Sequence, residues 1–195
     1  MDNFGASPVG ISTVDRMLHR RLAPPLALVL IAGLTACSPA ASPDPTPTYR
    51  QFASEEEAFE AAEDTLRGYV DAANGVDLSE PSTFDASYSW TVQDEYETQR
   101  EQLTQMHSLG WRKSGATRFD EFVGLHADLV DGTVTATACI DVSAVRIVDG
   151  AGTSVVPADR PLRQLHALRF VPASKTNTGL AVAGVDLCEG QSCAQ

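Results

Sequence analysis

Positive charge is scarce in this sequence: 14 Lys and Arg face 26 Asp and Glu over 195 residues, a formal net charge of −12. A surface this acidic repels phosphate backbones and anionic headgroups, so it excludes nucleic acid as a partner and any charge-driven attachment to a membrane. Histidines are few as well. His107, His126 and His166 stand apart, with no H-x-H, H-E-x-x-H or C-x-x-C pair to hold a metal. Neither a metal nor a cofactor is expected. The G-x-S-x-G, Walker-type and dinucleotide-binding glycine patterns are absent too, which removes the common signatures of hydrolases, nucleotidases and dehydrogenases. No apolar run reaches the roughly 20 residues that a helix needs to cross a bilayer core.

What the chain does have is an export signal. From Met17 it reads Met-Leu-His-Arg-Arg, then an uncharged run from Leu22 to Ala36, then Cys37. A basic start followed by a short apolar stretch is the layout of a secretory signal peptide. The run spans about 15 residues and contains Pro24 and Pro25, so a signal fits better than a permanent span. Residues 1–16 carry Asp2 and Asp15 ahead of the Arg20-Arg21 pair, and Met17 is read as the true start of a signal ending at residue 36. Leu34-Thr35-Ala36-Cys37 resembles the lipobox of bacterial lipoproteins, in which small side chains admit the peptidase to the backbone ahead of an obligatory cysteine. That resemblance implies cleavage before Cys37 and a diacylglycerol on its sulfur. The protein is then extracytoplasmic and held to the cell membrane by that lipid. Residues 38–48 hold four prolines among small polar residues, and 37–52 are read as a lipidated, semi-extended tether. At about 3.1 Å per residue, the proline-rich stretch sets a domain roughly 30 Å from the bilayer.

One α+β domain is expected over 53–195. Ser54 and Glu57 form a capping signature, and Phe59, Ala62, Leu66, Tyr69, Val70 and Ala73 recur at helical spacing until Asn74-Gly75. Ser87 to Val92 reads as a brief strand. Asp94 and Glu97 suggest a second cap, opening a helix marked by Tyr96, Leu103, Met106 and Leu109 and stopped by Gly110. Strands are then expected over about 116–129, 133–148, 162–172 and 179–187, with turns at Asp131-Gly132 and Asp149-Gly150. In the second, Val134, Ala136, Ala138, Ile140, Val142 and Ala144 alternate with polar residues, the pattern of a strand with one apolar face. Short connections between consecutive strands favour an antiparallel meander.

Helices followed by a long sheet resemble the nuclear-transport-factor-2-like family, a cone in which helices cover the concave face of a curved four-stranded antiparallel sheet. The segments Tyr69–Asn74 (YVDAAN), Met106–Trp111 (MHSLGW), Cys139–Val145 (CIDVSAV) and Val155–Pro161 (VVPADRP), with a cysteine near the C-terminus, resemble a group of actinobacterial lipoproteins of this fold that have no assigned activity. With Cys37 lipidated, Cys139, Cys188 and Cys193 remain, and one bridge plus one leftover thiol is the simplest arithmetic in an oxidising compartment. Cys139 falls on the polar face of its strand, where a C-terminal tail carrying either Cys188 or Cys193 can reach it. The resemblance implies the pair Cys139 and Cys193.

For function, the cone offers a pocket. Some relatives of the fold are isomerases or dehydratases that use a buried Asp, His or Tyr there, and His107, His166, Tyr69 and Tyr96 are the candidates for such a pocket. Asp141 is less suitable, because its alternation puts it on the polar face. No motif fixes the mutual geometry of the four. The expected function is therefore a non-catalytic binding or accessory module of the cell envelope, with a small ligand or an envelope protein as partner and a small, mainly apolar pocket. A small isomerase- or dehydratase-like pocket enzyme is the alternative.

Overall fold

Helix α1 (Glu55–Asn74) opens at the cap predicted for it. Ser54 Oγ accepts the Glu57 N–H at 3.3 Å, and Glu57 Oε2 accepts the Ala53 N–H at 2.8 Å, one residue upstream of the reciprocal bond in an ideal capping box. Glu55, Glu56 and Glu57 place negative charge at the positive end of the helix dipole. The helix stops at Asn74, and the Gly75 N–H closes onto the Asp71 and Ala72 carbonyls. The computed structural model describes residues 49–193; the expected signal, Cys37 and the tether through residue 48 lie outside them. Within that span Arg50 already donates to the Thr178 carbonyl and Phe52 is buried in the core, so the last residues assigned to the tether belong to the domain.

The next segment departs from expectation. Ser87 to Val92 does not form a strand: a 3-10 turn (Pro81–Thr83) leads into helix α2 (Phe84–Tyr88). Phe84 and Tyr88, one helical turn apart, meet edge to face at 6.3 Å, and that packing outweighs the short alternation that follows. Only Thr91 keeps a strand-like role, as a bridge to Val182. Helix α3 (Gln93–Ser108) starts without a side-chain cap, so Asp94 and Glu97 do not cap it. It is positioned instead by Val92 and Val182, the N–H of Val92 donating to the Val182 carbonyl and the N–H of Val182 to that of Trp90. Gly110, at φ +66°, ends the segment as read. Leu103 and Met106 pack with Trp111 on a small second core of Val76, Leu78 and Phe84, whereas Leu109 is exposed.

Strands β1 (Arg112–Ser114), β2 (Arg118–Asp128), β3 (Thr133–Asp141), β4 (Arg146–Val148), β5 (Arg163–Pro172) and β6 (Leu180–Leu187) form two antiparallel sheets. The larger has the order β2-β3-β5-β6, the meander expected, and β1 pairs with β4 in a separate ribbon. The single strand expected over 133–148 is thus broken. Asp141 Oδ1 accepts the Ser143 N–H at 2.8 Å, an Asx turn that ends β3, and the apolar alternation beyond it belongs to a turn and to β4. Register shifts in β2 around Glu121 and Gly124, and between Arg169 and Phe170 in β5, bend and twist the sheet.

Helix α1 lies on the face that carries Val134, Ala136, Ala138, Leu168, Phe170 and Val182. Alanines 58, 61 and 62 let it approach closely, and Gly124 is required under it because a Cβ there would enter the Phe59 ring. Phe170 and Leu66, fully buried, contribute about 2 kcal/mol each. The helix end is fastened twice. Asn74 exchanges two hydrogen bonds with the Thr117 backbone at 2.8 and 2.9 Å, and Lys113 Nζ donates to the Ala73 carbonyl at 2.6 Å, a cation at the negative end of the helix. On the opposite face of the sheet, Cys139 is disulfide-bonded to Cys193 with a Cα separation of 5.7 Å, leaving Cys188 free and half-buried.

Candidate functional site

A cavity of about 280 Å³ opens where the C-terminal half of α1 stands over the sheet. The helix supplies Leu66, Tyr69, Val70 and Ala73, consecutive members of its inward stripe. Gln164, His166 and Leu168 alternate on β5 and so share one face, with Val185 beside Leu168 on β6. Ile140, Val142 and Thr117 complete the lining.

Of the four residues singled out in the sequence, Tyr69 and His166 line this cavity; Tyr96 and His107 do not. The Tyr96 ring packs edge to face on Tyr88 at 5.6 Å. His107 Nδ1 is hydrogen-bonded to the Leu78 carbonyl at 2.7 Å and its ring edges onto Phe84, ties that hold the loop after α1 against α3.

Behind Tyr69 lies a polar network that the sequence did not reveal. The Tyr69 hydroxyl donates to Glu95 Oε1 and accepts from Gln99 Nε2, both at 3.2 Å. Gln99 also donates to Ser87 Oγ at 3.0 Å and accepts from Thr91 Oγ1 at 3.4 Å. Ser87, Thr91 and Gln99 are buried, so these bonds satisfy groups that water cannot reach. Burial, reinforced by the Glu95 charge, raises the Tyr69 hydroxyl far above the usual phenol range, so it is not an acid at neutral pH. Burial also pushes Glu95 up; the Tyr69 hydroxyl pulls it back and the Asp186 charge pushes it further. His166 is shifted down by burial, with Asp186 opposing, and its Nδ1 is buried without a hydrogen-bond partner. Its imidazole is therefore neutral at neutral pH. Glu95 and Gln99 sit one helical turn apart on a helix that is polar almost throughout, which hid them among surface positions.

The shift of Glu95 makes a prediction about stability. A carboxyl whose folded pKa lies above its unfolded value of 4.5 stabilises fully below that value and loses the contribution as pH rises through its folded value. Glu95→Gln keeps an acceptor for Tyr69 and removes the buried charge. The variant should melt a few degrees above wild type near pH 7.5 and converge with it near pH 4, as read by calorimetry at both pH values. A variant less stable than wild type at neutral pH would contradict this account of the network.

Asp120, Glu121 and Cys139 bring one ligand-type atom each within 4.8 Å of one another on the far side of the sheet. They do not make a metal centre: the sulfur of Cys139 is in a disulfide, and both carboxylates pair with Arg163.

Helices packed on one face of a bent four-stranded antiparallel sheet, with a cavity between them, decide the architecture. The fold is the α+β cone. No family model matches the chain, and no curated protein matches it. Similar solved structures are a provisionally named aromatic ring hydroxylase from Novosphingobium aromaticivorans (15% identity, 68% of this chain and 90% of that one, TM-score 0.46) and a periplasmic fragment of TraM (13%, 70% and 98%, TM-score 0.42). A third is a provisionally named polyketide cyclase from Xanthomonas campestris pv. campestris (13% identity, 65% and 92%, TM-score 0.32).

Proposed function

We propose that this protein is an extracytoplasmic lipoprotein, anchored through Cys37, whose cone domain binds a small ligand without turning it over. The make-up of the cavity carries the binding part of the reading. Seven of its lining residues are aliphatic, and the Tyr69 hydroxyl is already engaged on both sides. An acid or base catalyst must reach the reacting atom and titrate near the working pH. Tyr69 is spent in the network and raised out of range. The anchor is supported by Leu34-Thr35-Ala36-Cys37 and the signal-shaped run before it, and the proline-rich stretch after Cys37 suits a domain that works away from the membrane plane. One observation favours a pocket enzyme: Asp186 acts electrostatically on both Glu95 and His166, so a carboxylate stands near the imidazole. Asp186 is not among the lining residues, and the binding reading remains the better supported.

The test uses the full chain carrying Cys37→Ala, so that no covalently attached acyl chain competes for the apolar probe. Propylbenzene should shift the NMR signals of lining residues such as Val142, Leu168 and Val185. A further Val142→Trp change, placing an indole in the cavity, should weaken binding at least tenfold while leaving the circular dichroism spectrum intact. If neither propylbenzene nor para-propylphenol perturbs the lining residues at its highest soluble concentration, the cavity is not a ligand site.

A further inference from the structure

Resting on that reading of the cavity, we infer that its ligand is an uncharged amphiphile, an apolar body with a hydroxyl or carbonyl head that meets Gln164 and His166. The lining is graded. Gln164 and His166 project from the same face of β5, Gln164 across from Ile140 in the register, and Leu168 continues the row toward the fully buried core. A ligand lying along β5 therefore has two neutral polar side chains at one end and hydrocarbon along the rest.

Charge narrows the class. Among the described residues no Lys or Arg lines the cavity, so a carboxylate or phosphate brought into it would lose its hydration without a charge-assisted donor in return. Glu95 and Asp186 bear on the same region with negative potential, and the chain as a whole carries −12. Among the described residues no carboxylate lines the cavity either, so an ammonium group would be stripped of water with no direct counter-charge. Neutral heads remain. A neutral imidazole offers one N–H donor and one bare acceptor nitrogen, and a primary amide offers both kinds of group, so the pair can satisfy a hydroxyl as donor and as acceptor. A head lacking a polar atom would leave these groups without partners, which is the basis of discrimination against a pure hydrocarbon.

Three probes of nearly equal shape test this: propylbenzene, para-propylphenol and para-propylbenzoate, titrated at pH 7.5 into the full chain carrying Cys37→Ala, with NMR shifts of lining residues as the readout. The phenol is expected to bind at least threefold tighter than propylbenzene, the return on about one net hydrogen bond, and at least tenfold tighter than the benzoate. In a Gln164→Leu, His166→Leu chain the ratio of phenol to propylbenzene affinity should fall to about one. Propylbenzene binding as tightly as the phenol in the unaltered cavity would overturn the inference and leave the cavity a ligand site. Benzoate binding as tightly as the phenol would also overturn it, by showing that the cavity accepts an anion. Binding by none of the three overturns the ligand site itself. The comparison among probes in the unaltered cavity stands even if the double variant does not fold.

Discussion

A chain carrying Cys37→Ala is expected to emerge without lipid and with its leader still joined at Ala36. In the bacterial lipoproteins whose lipobox Leu34-Thr35-Ala36-Cys37 resembles, lipid is joined to the cysteine sulfur and the leader is cut before that cysteine, so one substitution is expected to remove both events. The physical consequence is large, because nothing among the described residues offers equivalent attachment. With an excess of acids over bases of 12, the surface is repelled by anionic headgroups, and no helix among the described residues is long and apolar enough to cross a membrane. Two acyl chains anchor stably, each buried methylene contributing about 0.8 kcal/mol, where the run of about 15 residues before Cys37 falls short of a full span. Intact-mass analysis of the wild-type chain should find an N-terminus at Cys37 bearing a diacylglyceryl group, and of the variant an unlipidated chain that keeps residues N-terminal to 37. An unmodified mature N-terminus elsewhere in the wild-type chain would end the lipoprotein reading, while leaving the cavity and its ligand untouched.

The contrast between what sequence and structure disclose follows from the range of the interactions involved. Helix α1 was legible because its limits are local chemistry: Ser54 and Glu57 cap it, Asn74-Gly75 end it, and the stripe between them repeats within one element. The four strands of the larger sheet were legible through their alternation and turn dipeptides. The end of β3 was not, since Val142 and Ala144 continue the apolar alternation while the decisive event is the Asp141 carboxylate accepting the Ser143 N–H. Helix α2 is hidden in the sequence by the alternation from Ser87 to Val92, which overlaps its last two residues. The site divides in the same way. Tyr69 lies on the apolar stripe and His166 on a strand with apolar neighbours, so both could be suspected. Glu95 and Gln99 are polar residues in polar surroundings, and Asp186 is a single exposed acid near the end of an apolar strand. They become informative only when α3 is laid against α1 and β6, a tertiary fact with no local signature. Gln99, the one buried residue of α3, owes its position to partners 8, 12 and 30 residues away.

Removing the Cys139–Cys193 disulfide should cost on the order of 4 kcal/mol, a large share of the roughly 5–15 kcal/mol that holds a domain of this size folded. The two cysteines are 54 residues apart, so the bridge withholds a long loop from the unfolded chain. Cys139→Ala with Cys193→Ala should lower the melting temperature by about 10 °C and move the urea midpoint accordingly, with secondary structure retained at low denaturant. The single change Cys193→Ala decides between the two pairings that the sequence left open. Leu165 is the β5 partner of Cys139, and its carbonyl accepts the Cys188 N–H at 2.9 Å, so Cys139 and Cys188 stand in one row with Leu165 between them. Two strand spacings separate their backbones by about 9.6 Å, beyond the roughly 7 Å that a disulfide can bridge without backbone movement. Cys188 therefore cannot replace Cys193, and the single variant should lose nearly as much stability as the double, whereas Cys188→Ala should be close to neutral. Non-reducing peptide mapping of the Cys193→Ala chain should recover Cys139 and Cys188 as separate thiols. A Cys139–Cys188 bridge in high yield, with wild-type stability, would show that the C-terminal end of β6 is not held in the register described.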